Sequence, residues 1–152
     1  MQLLTELEET KEQMLAYFDL TERDLRKRYA PEKWSVKVLL NHIVDAETVM
    51  YDRIRRAIAE QPKPVIWGFQ QDNWAKHLNY ETFPLSLNKN LFIAVRENIK
   101  HLASQYYKQV DQFQFIHSET GLRTLKAEFE KIVWHCEHHM LQIELALTKE
   151  IY

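Results

Sequence analysis

Only two of the 152 residues are glycine, Gly68 and Gly121, against roughly 7% in average usage. Hairpin-rich β folds use glycine to take positive φ in their turns, and this chain has too few for such a fold. Phosphate-cradling loops need several glycines close together, so neither a P-loop nor a G-x-G-x-x-G dinucleotide site can be built. What remains is a helical chain. Apolar residues make up 45% and charged residues 28%, a globular balance with length enough for one core, so residues 1–152 read as a single domain. The 20 basic residues are offset by 22 acidic ones. That removes the broad cationic surface that nucleic-acid binding through phosphates requires.

Hydrophobic spacing divides the chain into helices. Leu3, Leu7, Met14 and Phe18 recur at helical intervals and predict a first helix over 2–19. Thr21 ahead of Asp24 resembles a helix-starting cap, with a short helical turn over 20–28 before Pro31. Ser35 is a good N-cap for the series Val36, Leu39, Ile43, Ala46, Met50, Ile54 and Ala57, which predicts a second helix over 36–60. Leu87, Leu91, Ala94, Val95, Ile99 and Leu102 mark a third over 86–108, and Thr124 caps a fourth over 125–149. Residues 61–84 hold three of the four prolines and no sustained period. Fully extended, such a segment spans about 80 Å, whereas a 25-residue helix is about 38 Å long. The connection can therefore return to the far end of the molecule and leave the second and third helices parallel. The expected fold is all-α, a four-helix bundle with a long crossover between helices two and three.

The single cysteine, Cys136, excludes an intrachain disulfide and any C-x-x-C metal or redox site. The N-terminal MQLLTELEETKEQ is acidic and amphipathic, unlike a signal peptide. The longest apolar run, Leu91 to Val95, is far short of the roughly 18 residues a membrane span needs. A cytoplasmic location and no membrane partner are expected.

Three of the seven histidines sit together in His135-Cys136-Glu137-His138-His139. On a helical wheel, Phe129, Ile132, Val133, Cys136, Met140, Ile143 and Leu147 fall within about 60° of one centre. His135 and His139 lie along one edge of that apolar face, spaced i, i+4, so both imidazoles can reach one metal ion. His138 falls near the opposite side. On the second helix His42 again sits at the margin of the apolar face, and two such helices make a three-nitrogen site plausible between them. A lone boundary histidine is the plainer alternative for His42, and His77, His101 and His117 have no partner spacing at all. A zincin needs H-E-x-x-H, and here Glu137 comes one place too late and turns away from both histidines. No histidine has a glutamate three residues before it, which removes the ferritin-like di-iron pattern. Cys136 lies at the centre of the apolar face and reads as a buried core thiol.

Three stretches carry a resemblance to a known family: PEKWSVKVLLNHIVDAE (Pro31 to Glu47) with Arg53 downstream, HSETGLRTL (His117 to Leu125), and HCEHHMLQI (His135 to Ile143). Together they resemble the DinB/YfiT superfamily, in its DinB-like branch of bacterial metal-binding four-helix proteins. Matching features are the Trp-Ser before the second helix, the histidine early in it, the Gly-x-x-Thr before the fourth helix and the His-x-x-x-His followed by Gln-Ile. Leu141 departs from the pattern, which usually has a small residue there. The resemblance implies an up-down-down-up bundle and a divalent metal ion (nickel, zinc or iron) held by His42, His135 and His139, with open positions facing a pocket.

Three protein ligands with an open position are the catalytic form of a metal site. Such an ion either acidifies a bound water, which gives a metal-dependent hydrolase, or binds a thiol as thiolate, which gives thiol transfer. The chain is similar to thiol S-transferases that use bacillithiol, and a related branch uses mycothiol. Transfer of a low-molecular-weight thiol co-substrate to a small electrophile is thus the first expectation. The alternatives are hydrolysis and a non-catalytic metal-binding bundle of the stress response. No general base is identified, although Asp45 and Asp72 are candidates. Trp67, Phe69, Trp74, Tyr80 and Phe83 in the crossover could wall the pocket as a lid, pack as an ordinary crossover, or form a homodimer contact. Arg53, Arg55 and Arg56 read as solvated helix surface, with a second use if the pocket accepts an acidic cofactor.

Overall fold

The computed structural model describes residues 1–60 and 62–152. Four long helices carry the architecture: α1 (Gln2–Tyr17), α3 (Val36–Ala59), α5 (Leu85–Tyr106) and α6 (Leu125–Leu147), with short α2 (Glu22–Leu25) and α4 (Gln71–His77) between them. The starts are set by side-chain caps that satisfy otherwise orphaned N–H groups. Thr21 Oγ1 accepts from Asp24 N at 3.2 Å, Ser35 Oγ from Val38 N at 3.3 Å and Thr124 Oγ1 from Ala127 N at 3.2 Å. All three caps are those expected from the sequence.

Side-chain pairs give the helix directions. Asn41–Asn88, Glu47–Arg96 and Tyr51–Asn98 advance together, so α3 and α5 run in the same sense. Arg53–Glu128 and His42–His135 run against each other, so α3 and α6 are antiparallel. Tyr17–Glu144 and Cys136–Thr10 align α1 with α6.

The expectation of an all-α chain needs correction. A three-stranded sheet is present, in the order β1 (Val65–Ile66), β2 (Gln114–His117), β3 (Gly121–Thr124). Strands β2 and β3 form an antiparallel hairpin, with Gly121 at φ 77° taking the left-handed turn position that glycine favours. Strand β1 pairs with β2 in parallel, Val65 opposite Ile116, and so pins the crossover to the connection between α5 and α6. These strands have two to four residues each, too short to print a period-2 pattern. Helix α4 leaves no mark in the sequence for a related reason: none of its residues is buried, so it has no apolar stripe.

The core forms two apolar clusters along the bundle, one around Leu7, Ile54, Ile99 and Phe129, the other around Met14, Leu40, Phe92 and Ile143. Arg96, 0% exposed, is held in the interior. Its Nε donates to Glu47 Oε1 at 2.6 Å, and its Nη1 donates to the Leu7 carbonyl and Thr10 Oγ1 at 2.7 and 2.8 Å. One guanidinium thereby joins α1, α3 and α5. Cys136 is buried beside it, as expected, its Sγ 3.8 Å from the Thr10 carbonyl, and burial pushes its thiol up to about 12. No helix among the described residues is long and apolar enough to cross a membrane.

Candidate metal centre

The antiparallel packing of α3 on α6 brings the three sequence-selected histidines together. Nε2 of His135 lies 3.2 Å from Nε2 of His42 and 3.1 Å from Nε2 of His139. Two nitrogens bound to one tetrahedral ion at about 2.05 Å stand about 3.3 Å apart, so the spacing suits a shared ion. The wheel positions explain the convergence. Each histidine sits at the edge of an apolar stripe, where two packed helices leave room for a polar group between them. His42 is 1% exposed and packs against Trp34, with ring centroids 4.9 Å apart.

Burial sets the protonation of all three. It pulls His42 down to about 3, His135 to about 2 and His139 to about 4, and the neighbouring imidazoles reinforce the fall. The rings are therefore neutral at pH 7, and neutral imidazole is the form that ligates metal. Three Nε2 atoms facing one another cannot all donate. His139 Nδ1 lies 2.8 Å from Gln142 Oε1, and with Nδ1–H donating there, His139 Nε2 carries a lone pair toward the cluster. Such an outer partner is how a metal-ligating histidine is usually oriented.

The remaining candidates separate cleanly. His138 is exposed and stacks on Trp134, centroids 5.4 Å apart. His77 and His101 are exposed. His117 is buried in the hairpin, where its Nδ1 accepts from the N–H groups of Glu119 and Thr120 at 3.2 and 3.3 Å. Asp45 accepts a hydrogen bond from Tyr80 and is raised by burial, which ties it to the crossover. Asp72 lines a cavity of about 350 Å³ beside His138, His139 and Gln142. Glu137 and Leu141 are both exposed, so the departure from the family pattern at 141 falls on the surface.

The crossover does roof the site in part. Phe69 stacks over His42, centroids 6.1 Å apart at 13°, and Trp74 meets Phe69 edge-on. Trp67, by contrast, is 79% exposed and walls nothing. A second cavity of about 430 Å³ runs from His135 and His139 past Met50 to Arg53, Glu119 and Lys131. Gln142, Glu119 and Lys131 had no assigned part from sequence. Only Gln142 left a signal, its i+3 spacing from His139.

Comparison with known proteins agrees with this geometry. The chain is 28% identical over 130 residues to a protein of Oceanobacillus iheyensis, provisionally named a metal-dependent hydrolase, covering 85% of this chain and 73% of that one. A Halalkalibacterium halodurans protein with the same provisional name is 26% identical over 130 residues, covering 86% and 75%. Among solved structures, YfiT from Bacillus subtilis, described as a probable metal-dependent hydrolase with an unusual four-helix bundle topology, superposes with a TM-score of 0.87. At 21% identity, over 99% of this chain and 87% of that one, this likeness speaks for the fold. The sequence pattern of the DinB superfamily matches residues 6–143, which contain all three clustered histidines; the chain belongs to that superfamily.

Proposed function

We propose that His42, His135 and His139 hold a divalent metal ion and that the protein is a metal-dependent hydrolase of small molecules. The observation that carries this reading is the convergence of three neutral Nε2 atoms within metal-sharing distance. Three neutral nitrogens leave coordination positions for substrate. When bound, such an ion polarises an acyl or phosphoryl oxygen and acidifies water.

The chain's own residues supply the setting. Gln142 orients His139; Trp34 and Phe69 pack against the His42 ring, and two cavities that share His138, His139 and Gln71 flank the cluster. Glu119 in one cavity and Asp72 in the other are carboxylates placed to accept a proton. The same reading takes the long helices as up-down-down-up, which the shared direction of α3 with α5 and of α1 with α6 supports.

The provisional names of the relatives favour hydrolysis. Transfer of a low-molecular-weight thiol to an electrophile needs the same open positions and rests on the sequence resemblance. One experiment separates them. Metal content is measured on the full chain, then ester, amide and phosphoester hydrolysis are assayed beside consumption of bacillithiol, cysteine or coenzyme A with a generic electrophile. Metal-dependent hydrolysis without thiol supports the proposal. Metal-dependent thiol loss replaces it with transfer, and metal binding with neither activity leaves a non-catalytic bundle.

A further inference from the structure

The cavity of about 430 Å³ beside the histidines is lined by two cations, Arg53 and Lys131, and one carboxylate, Glu119. Arg53 is 3% exposed and donates through Nη1 to Glu128 Oε1 at 3.2 Å, yet its buried Nε has no partner. Leaving a buried donor unsatisfied costs about 1–3 kcal/mol, a cost the fold has no evident reason to carry. Lys131 lines the same cavity, half-buried, and makes no hydrogen bond or ion pair among the described residues. Burial lowers its pKa, and Arg53 and Arg123 push it the same way while Glu128 opposes them. The cavity wall thus carries two cations, Arg53 and Lys131, and one carboxylate, Glu119, with Glu128 paired to Arg53 behind it and the Arg123 charge acting on Lys131.

A guanidinium and an unpaired ammonium lining one cleft suit an oxyanion. We propose that the Arg53 guanidinium and Lys131 Nζ bind the anionic end of the substrate, a carboxylate or phosphate group, and present the rest of it to the three histidines. The inference deepens the metal-dependent reading and rests on it for the identity of the reacting end. Lys131 stands one helical turn before His135, about 6 Å along α6. The substrate is therefore a small anion whose reacting bond lies a few atoms from its charge, and a neutral analogue lacking that charge is a poor one.

The test is titration calorimetry on the full-length protein as purified, with inorganic phosphate and with succinate in separate arms, alongside metal analysis. One-to-one binding of either anion, weakened by salt, is expected, and the arm that binds names the group. Lys131→Met, which removes an unpaired side chain, should keep the metal stoichiometry and the melting temperature and lose at least about tenfold in anion affinity. Arg53→Lys keeps a cation against Glu128 and should weaken binding through loss of the planar guanidinium fork. His135→Ala should lose metal and retain the anion. Absence of binding by both anions overturns the inference, as does equal binding by Lys131→Met. Loss of the anion in His135→Ala also overturns it, because the anion would then sit on the histidine cluster. If the anion binds as expected and no metal does, the metal reading fails alone.

Discussion

His138 and His139 are neighbours in sequence with opposite surroundings, and single substitutions expose the difference. His135→Ala and His139→Ala should each abolish stoichiometric zinc or nickel binding, while His138→Ala, exposed and stacked on Trp134, should leave it nearly intact. Gln142→Leu removes the acceptor for His139 Nδ1 and should weaken metal affinity by about 10- to 100-fold without changing the stoichiometry at saturation. Metal titration of the four variants reads both effects, and equal loss in all four would mean that the ligand stripe is misplaced. The histidine cluster was legible in sequence because helical spacing alone decides which imidazoles share an edge. Arg53 was legible only in part, as helix surface with a second use if the pocket takes an acidic cofactor, and Lys131 not at all. A lone basic residue on a helix reads as solvated surface until the opposite helix is known, and here Glu128 and the cavity wall come from elsewhere in the chain.

At the scale of elements, the long helices and their caps could be read directly, since each has a buried face that writes a 3.6-residue period into the sequence. The hairpin and α4 could not, because a strand of four residues and a helix with no buried residue write nothing. The two glycines mark the difference between backbone and space. Gly121 has φ 77° and nothing within 4 Å of where a Cβ would stand, so Gly121→Ala pays only backbone strain, about 1–2 kcal/mol. At Gly68 a Cβ would lie 2.7 Å from Glu119 Oε2, the free end of a flexible side chain that can swing aside. Gly68→Ala should therefore cost under about 0.5 kcal/mol. Urea unfolding of the two variants checks the order, and a costlier Gly68→Ala would show that Glu119 is held fast. Arg96 is the element-scale surprise: an arginine on α5 that ties three helices from inside, with no mark in the sequence to distinguish it from a surface residue.

For the whole molecule, the three neutral histidines make stability depend on pH. Their folded values lie at about 2 to 4, below the value of about 6.5 in an open chain. Below that pH the unfolded state therefore takes up protons that the folded state refuses. Stability of the metal-free protein should be fully present above pH 6.5 and fall below it, by up to about 1.4 kcal/mol per pH unit for each histidine. Added zinc should raise the melting temperature at pH 7.5, because it binds the folded site better than the open chain. His42→Ala should lose part of the acid sensitivity together with the zinc effect. Thermal melts at pH 7.5 and 5, with and without zinc, measure both, and an acid response unchanged in His42→Ala would contradict the assignment. The parallel pairing of Val65 with Ile116 has a consequence in time. The α3 and α6 halves of the site, His42 and His135, are 93 residues apart, and the β1 end of the crossover finds its strand partner only after α5 has been traversed. Closing loops of that length is entropically costly before their contacts repay it. The site should then be completed on the native side of the folding barrier, so that a bound ion slows the escape of the folded chain and leaves its arrival unhurried. Stopped-flow folding with and without zinc should show a slower unfolding limb and a superimposable refolding limb.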